Sequence, residues 1–374
     1  MGTLRGLSST AALRERESML REESKVDRHK ILVHPRQSLE ARLKRTMDSS
    51  LYKTIKTSRG LEYSVYHVEP TDASKPTALL VHGFPSSSYD WRHQVDYFKL
   101  RGYGILAPDM LGYGRTTKPL DTALYASTAI AQDVVEVVNA TAGTGPVVAI
   151  GHDWGCRIVS RLANLHTERF LGFAFLAISY MAPNPELSYA QLLAYTTKLA
   201  GYELFGYWAF FSDDDADQVI KENYDKFYTA IVSFGPEEIK AHFVGTGALR
   251  AWLSDGKPHS LSIPDSLTKE EFDIQKERFF NTGITASLNW YKINTSDIDL
   301  EDSKTIPKDK YNISKPVFYG ACDKEVIGVP ALGKGVIQKF CSNATIKDYD
   351  SGHWVLWEAK DKLNAELEGW VQAL

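Results

Sequence analysis

At residues 146–155 the chain reads Pro-Val-Val-Ala-Ile-Gly-His-Asp-Trp-Gly, an apolar run that breaks into a short segment with glycine at both ends. The apolar run has the length and β-branched content of a buried strand. Gly151 and Gly155 flank Asp153 at two-residue spacing. That pattern fits a strand turning sharply into a helix with residue 153 at the apex, because the turn is too crowded for a Cβ at either flanking place. The apex residue is usually serine, which forms acyl-enzymes from esters and amides. Here it is aspartate, and a carboxylate at that place attacks saturated carbon and becomes an alkyl ester. The turn therefore constrains both the architecture, strands feeding helices, and the class of reaction.

From residue 60 onward the chain alternates short apolar runs with amphipathic helical patterns, which predicts an α/β fold with a mostly parallel sheet. Strands are expected at 62–67, 77–81, 104–107, 147–150, 173–178, 317–320 and 345–350. After the turn, Ile158, Val159, Leu162 and Leu165 recur at helical spacing. Between residues 182 and 304 the alternation stops, and the sequence becomes rich in aromatics and helix formers behind Pro183-Asn184-Pro185. This stretch is expected to be a helical cap inserted after the sixth strand. The domain reading is a basic extension over 1–46, core over 47–181 and 306–374, and cap over 182–305.

Composition excludes several classes. The 374 residues are 43% hydrophobic and 24% charged, enough apolar material for a large core. A net charge of −4 gives no reason to expect nucleic acid. The longest apolar stretch, 170–182, is too short to span a bilayer, and no apolar signal segment follows the start. Cys156, Cys322 and Cys341 show no metal spacing and suit a reducing compartment. The location expected is cytoplasmic. Residues 1–46 hold 11 Lys and Arg against 6 Asp and Glu, and their acidic pairs argue against a transit peptide. The run Asp213-Asp214-Asp215-Ala216-Asp217 is most simply a solvated helix start.

Further candidates complete a site around Asp153. His82-Gly83-Phe84-Pro85 follows a predicted strand, where a loop would supply one backbone N–H to an oxyanion hole; the other would come from Trp154. The rings of Phe84 and Trp154 would line the pocket. The base should be a histidine after the last strand, and His353 in Ser351-Gly352-His353-Trp354 fits. The group orienting it should follow the preceding strand. There Asp323 and Glu325 stand two residues apart, and composition does not choose between them.

Over roughly residues 50–374 the sequence resembles the soluble epoxide hydrolases of the α/β-hydrolase superfamily. The matching motifs are His82-Gly83-Phe84-Pro85, Asp109-Met110-Leu111-Gly112-Tyr113-Gly114, the Asp153-Trp154 turn, Leu288-Asn289-Trp290-Tyr291 and Gly352-His353-Trp354. The resemblance implies an eight-stranded α/β-hydrolase core with an inserted cap. It implies Asp153 as nucleophile and His353 as the base that activates water. Counting nine residues from Pro316, as relatives do, gives Glu325 as the orienting acid, with Asp323 the alternative; relatives usually carry aspartate there. Two cap tyrosines would hold the epoxide oxygen. Tyr291 matches one, and Tyr207 in Phe205-Gly206-Tyr207-Trp208 matches the other, with Tyr202 as alternative. The expected substrate is a small-molecule apolar epoxide, a bulky lipid or aryl one by the aromatic character of the cap, converted to a vicinal diol without metal or organic cofactor by a monomer or homodimer.

Two other readings share these residues. A haloalkane or haloacid dehalogenase would use the same aspartate, and Trp154 could bind a halide. The usual asparagine or tryptophan partner is missing at Phe84, however, and a fluoroacetate-type site would carry arginine where Trp154 stands. Arg157 lies further along and reads as structural. A non-catalytic ligand-binding protein would tolerate a broken constellation, whereas here every candidate group is present.

Overall fold

The computed structural model describes residues 47–257 and 262–374. The expected basic extension, 1–46, lies outside the described residues. Ser49–Leu374 form one compact unit. Its strands are β1 (Tyr52–Lys56), β2 (Glu62–Val68), β3 (Thr77–Val81), β4 (Gly104–Pro108), β5 (Val147–His152), β6 (Phe173–Leu176), β7 (Val317–Cys322) and β8 (Ala344–Tyr349). They make one eight-stranded sheet in the order β1-β2-β4-β3-β5-β6-β7-β8. β2 is antiparallel to both of its neighbours, and the remaining pairs are parallel. Every residue of β3, β4 and β5 is buried, as parallel strands covered on both faces must be.

The sequence pattern finds seven of the strands and passes over β1. That strand reads Tyr-Lys-Thr-Ile-Lys and is exposed at three of five positions. It is an edge strand held by its ladder to β2, from Tyr52 opposite Tyr66 to Lys56 opposite Glu62, and so carries no apolar run. β6 stops at Leu176 rather than at residue 178, where Ala177 turns with φ 61°.

Helices α1 (Arg92–Lys99), α2 (Ser127–Ala142) and α3 (Trp154–Leu165) belong to the first half of the core. In α3, Ile158, Val159 and Leu162 are fully buried, while Leu165 is 37% exposed. Between β6 and β7 the described chain is a succession of helices: α4 (Tyr189–Ala200), α5 (Tyr207–Ser212), α6 (Ala216–Glu222), α7 (Tyr224–Val232), α8 (Pro236–His242), α9 (Ala248–Leu253), α10 (Lys269–Thr282), α11 (Ile284–Ser287), α12 (Asn289–Thr295) and α13 (Ile298–Lys304). α14 (Pro330–Phe340), α15 (Val355–Glu358) and α16 (Lys360–Val371) complete the core. The acidic run 213–217 leads into α6, with Asp213 and Asp215 paired to Arg250 at the surface. Among the described residues no helix is long and apolar enough to cross a membrane.

Among the polar ties that fasten the helical layer to the core, two involve residues of the sequence motifs or of α3. Asp299 on α13 forms an ion pair with Arg157 on α3 and accepts a hydrogen bond from Ser127 Oγ at 2.6 Å. Arg157 also donates to Asn294 Oδ1 at 3.2 Å. In the second tie, Trp290 Nε1 donates to the Leu111 carbonyl at 2.9 Å. It joins two of the sequence motifs, Asp109-Met110-Leu111-Gly112 and Leu288-Asn289-Trp290-Tyr291. The Arg157 and Asp299 side chains are only 8% and 9% exposed. Removing one member of such a pair strands the other charge out of water. Asp299→Ala is therefore expected to cost about 3–5 kcal/mol of unfolding free energy, read from denaturant titration. A loss below about 1 kcal/mol would show that water reaches Arg157 and that the tie is not a structural anchor.

Candidate active site

Parallel register brings the ends of four strands to one edge. Val81 lies opposite Gly151, Leu176 opposite Gly320, and Cys322 opposite Tyr349. The loops after β3, β5, β7 and β8 therefore leave the sheet side by side, where open α/β sheets hold their ligands. These loops carry Phe84, Asp153, Glu325 and His353.

Asp153 sits at the apex between β5 and α3 with φ 53° and ψ −126°, a conformation that side-chain-bearing residues seldom adopt. Three glycines make room for it. A Cβ on Gly155 would overlap the Val81 carbonyl, and one on Gly151 would strike the Gly155 backbone. A Cβ on Gly83 would overlap both the Asp153 carboxylate and the Trp154 nitrogen. Because Gly83 has none, Phe84 N donates to Asp153 Oδ1 at 2.7 Å, and the Trp154 N–H also bonds the carboxylate. His82 fixes this loop: its Nδ1 meets the Gly83 carbonyl at 2.8 Å, and its Nε2 accepts from Met110 N at 3.0 Å. Those partners assign the proton to Nδ1, and burial lowers the pKa of the ring. Cys156, in the first turn of α3, is fully buried with its thiol directed at the Gly151 carbonyl, and burial pushes its pKa well up.

The other carboxylate oxygen, Oδ2, lies 3.5 Å from His353 Nε2. His353 Nδ1 meets Glu325 Oε2 at 2.5 Å. Of the two acids left open by the sequence, Glu325 reaches the imidazole; Asp323 is exposed. The second oxygen of Glu325 accepts the N–H groups of Ile327 at 2.6 Å and Gly328 at 3.2 Å. Burial alone would raise the Glu325 pKa, but the charge and hydrogen bond of His353 and these two N–H groups outweigh it, and the pKa is lowered. Burial likewise works against charge on His353. Glu325 and then Asp153 overcome it and raise the pKa to about 9. Burial raises the pKa of Asp153, an effect that His353 and the two backbone N–H groups offset only in part.

Tyr207, at the start of α5, and Tyr291, on α12, reach over Asp153 with ring centroids 5.7 Å apart. Burial, and then the Asp153 charge, raise the pKa of Tyr207; burial, Tyr207 and Asp153 do the same for Tyr291. Both phenols are thus neutral donors at ordinary pH. Tyr202 is directed elsewhere and donates to the Val326 carbonyl at 2.7 Å. The Phe84 ring packs edge-on against Tyr291 at 5.0 Å and against Phe279 at 5.3 Å. Trp154 meets Tyr291 at 5.3 Å.

Several contributors escape sequence reasoning. Glu358 on α15 accepts from Gly352 N at 2.5 Å and Trp354 N at 3.3 Å, clasping the loop on both sides of His353. It closes the short helix that follows His353, and no residue-type pattern marks it for that place. His152 Nε2 donates to the His353 carbonyl at 2.7 Å. Burial, and then the His353 charge, lower the His152 pKa to about 3, so the ring stays neutral. Trp354 Nε1 donates to the Ile231 carbonyl at 2.9 Å, tying the same loop to α7.

Two cavities meet at Asp153, Tyr207 and Ile327. One, of about 270 Å³, runs between α4, α5 and α14. The other, of about 40 Å³, lies on the side of His353 and Glu325. Among the described residues no cluster of three or more His, Cys, Asp or Glu side chains is arranged to hold a metal ion.

Residues 76–228 match the family described as alpha/beta hydrolase fold. A solved epoxide hydrolase from an endophytic Streptomyces superposes with a TM-score of 0.72 at 27% identity, over 86% of this chain and 95% of that one. The chain is similar to epoxide hydrolases of the α/β-hydrolase superfamily. It is also similar to the rat bifunctional epoxide hydrolase 2, at 26% identity over 80% of this chain. It spans about half of that relative, 52%. It is 25% identical to epoxide hydrolase 3 of Siraitia grosvenorii, over 87% of this chain and 99% of that protein.

The electrostatics of the site lead to a direct measurement. Glu325→Gln keeps the shape of the side chain and removes the strongest upward influence on His353, while burial continues to disfavour the imidazolium. The His353 pKa is expected to fall below about 9, read as the pH titration of its imidazole proton by NMR. An unchanged midpoint would assign the stabilisation of the imidazolium to another group.

Proposed function

We propose that the protein hydrolyses epoxides to vicinal diols through a covalent ester on Asp153. The observation that carries this reading is the placing of one carboxylate between three kinds of partner: the backbone N–H groups of Phe84, on Oδ1, and of Trp154, an imidazole beside Oδ2, and two neutral phenols above it.

Oδ1 is held by the N–H of Phe84, which leaves Oδ2 to attack an epoxide carbon. The C–O bond of the ring breaks as the new one forms, and an alkoxide is too poor a leaving group to depart unaided. Tyr207 or Tyr291 donates its proton to that oxygen, and the other phenol stabilises it by a hydrogen bond. The product is a β-hydroxyalkyl ester. Esterification removes the negative charge of Asp153, one of the influences that raised the His353 pKa. The imidazolium can then release its proton, which restores the phenol. Neutral His353, oriented by Glu325, takes a proton from water, and the hydroxide adds to the ester carbonyl. The N–H groups of Phe84 and Trp154 stabilise the oxyanion. Collapse expels the diol oxygen as an alkoxide, which takes the remaining proton of the attacking water from the newly formed carboxyl group, and the carboxylate is returned beside an imidazolium.

Nothing at the site favours halide over epoxide oxygen. The position that would hold a second halide ligand is the Phe84 ring, which packs among Phe211, Phe279 and Tyr291.

Single turnover in ¹⁸O-water is expected to label Asp153 and leave the first diol unlabelled; label wholly in the first diol would replace this scheme with direct attack by water. His353→Gln should slow ester hydrolysis by about 10²–10⁴-fold, leaving an adduct of the mass of the substrate on the peptide containing Asp153. The pH dependence has a definite sign. Hydrolysis of the ester needs neutral His353, so its rate should fall about tenfold per unit as pH drops below the His353 pKa in the ester, which lies below that of the resting enzyme. Stopped-flow fluorescence of the tryptophans near the site would follow it, and a flat profile would remove His353 as the base.

A further inference from the structure

We infer that the site takes epoxides with one extended apolar arm, whose second carbon carries hydrogen or at most a methyl group. This rests on the epoxide reading above and follows from the inequality of the two cavities that meet at Asp153.

The larger cavity, of about 270 Å³, is walled almost entirely by carbon, including Leu204, Trp208, Leu332 and Val336. It opens beside Tyr195 and Leu199 on α4, which are 54% and 50% exposed. At roughly 30 Å³ for a water-sized group, it accommodates an arm of about eight or nine carbons. The smaller cavity, of about 40 Å³, is lined by His353 and Glu325 and, on the cap side, by Ala230, Ile231, Ile239 and Phe243. That space is little more than the share of one water molecule in the liquid, about 30 Å³.

The chemistry requires the small space for itself. The ester is opened by a water activated at His353 Nε2, and His353 faces this cavity. A bulky group on that side of the epoxide would either clash with Ile231 and Ile239 or displace the water that completes turnover. An apolar arm on the other side meets no polar group that must stay hydrated. The asymmetry therefore selects terminal epoxides, or those bearing a methyl group at the second carbon, over epoxides in the middle of a chain or between two rings.

The test is a comparison of kcat/KM for 1,2-epoxyalkanes of four to twelve carbons with trans-stilbene oxide and cis-9,10-epoxystearic acid, each with two bulky arms. In the terminal series kcat/KM is expected to rise about two- to fourfold per methylene and to level near ten carbons. The two-armed epoxides are expected to be slower by about a hundredfold or more. Ile239→Ala, which enlarges the small side, should raise the ratio of two-armed to terminal turnover, and Leu332→Trp should move the levelling point to shorter chains. Two-armed epoxides turned over as well as the terminal ones would overturn the inference and leave epoxide hydrolysis standing. An unchanged ratio in Ile239→Ala would overturn it as well. No diol from any epoxide would overturn the function and the inference together.

Discussion

A carboxylate taken out of water must be compensated by hydrogen bonds and opposite charge, or it neutralises. Asp153 retains 16% exposure of its side chain, and Glu325 only 2%. Two carboxylates therefore share one imidazole in a nearly dry space. Glu325 is held by His353 and two backbone N–H groups, Asp153 by His353 and two others. A single proton on His353 balances both in part, which is why its pKa rises despite burial. The same balance shifts when one carboxylate is esterified, and the proposed second step draws on that shift.

The arrangement depends on backbone more than on side chains. Gly83, Gly151 and Gly155 allow the loop after β3 to touch the turn after β5, so the amides of Phe84 and Trp154 both reach one carboxylate. The strained φ of Asp153 is sustained by a turn locked between β5 and α3. The cap adds the phenols, and its own position is set by the Arg157–Asp299 pair, by the Trp290 hydrogen bond to Leu111, and by the Phe84 ring among cap aromatics. Phe84 thus serves two layers at once: its N–H belongs to the core site and its ring to the cap.

Legibility followed physical locality. Buried parallel strands announce themselves as apolar runs, so β3, β4 and β5 were found close to their true limits. β1 was not, because an edge strand needs only a ladder partner. The turn at Asp153 was readable since its steric demands fall within five residues. Glu325 and Asp323 were indistinguishable by composition, both short carboxylates after one strand. The turn that follows β7 separates them, directing one at His353 and the other at solvent. Tyr202 and Tyr207 were separated in the same way, by the start of α5. Glu358 and His152 went unassigned because their partners are backbone atoms of the His353 loop, and no residue-type pattern marks a backbone partner.

Taken alone, the sequence determined the alternation of strands and helices, the aspartate at a glycine-flanked turn, and the set of groups from which a site could be assembled. Those properties depend on residue type and short-range sterics, which a linear pattern carries. The tertiary structure decided which carboxylate meets His353, which tyrosines stand over Asp153, and how the space around it divides into a larger apolar side and a small side beside His353. Such outcomes depend on where loops distant in sequence are brought by strand register and by the seating of the cap. Distances of an ångström or two at those junctions separate a partner from a bystander.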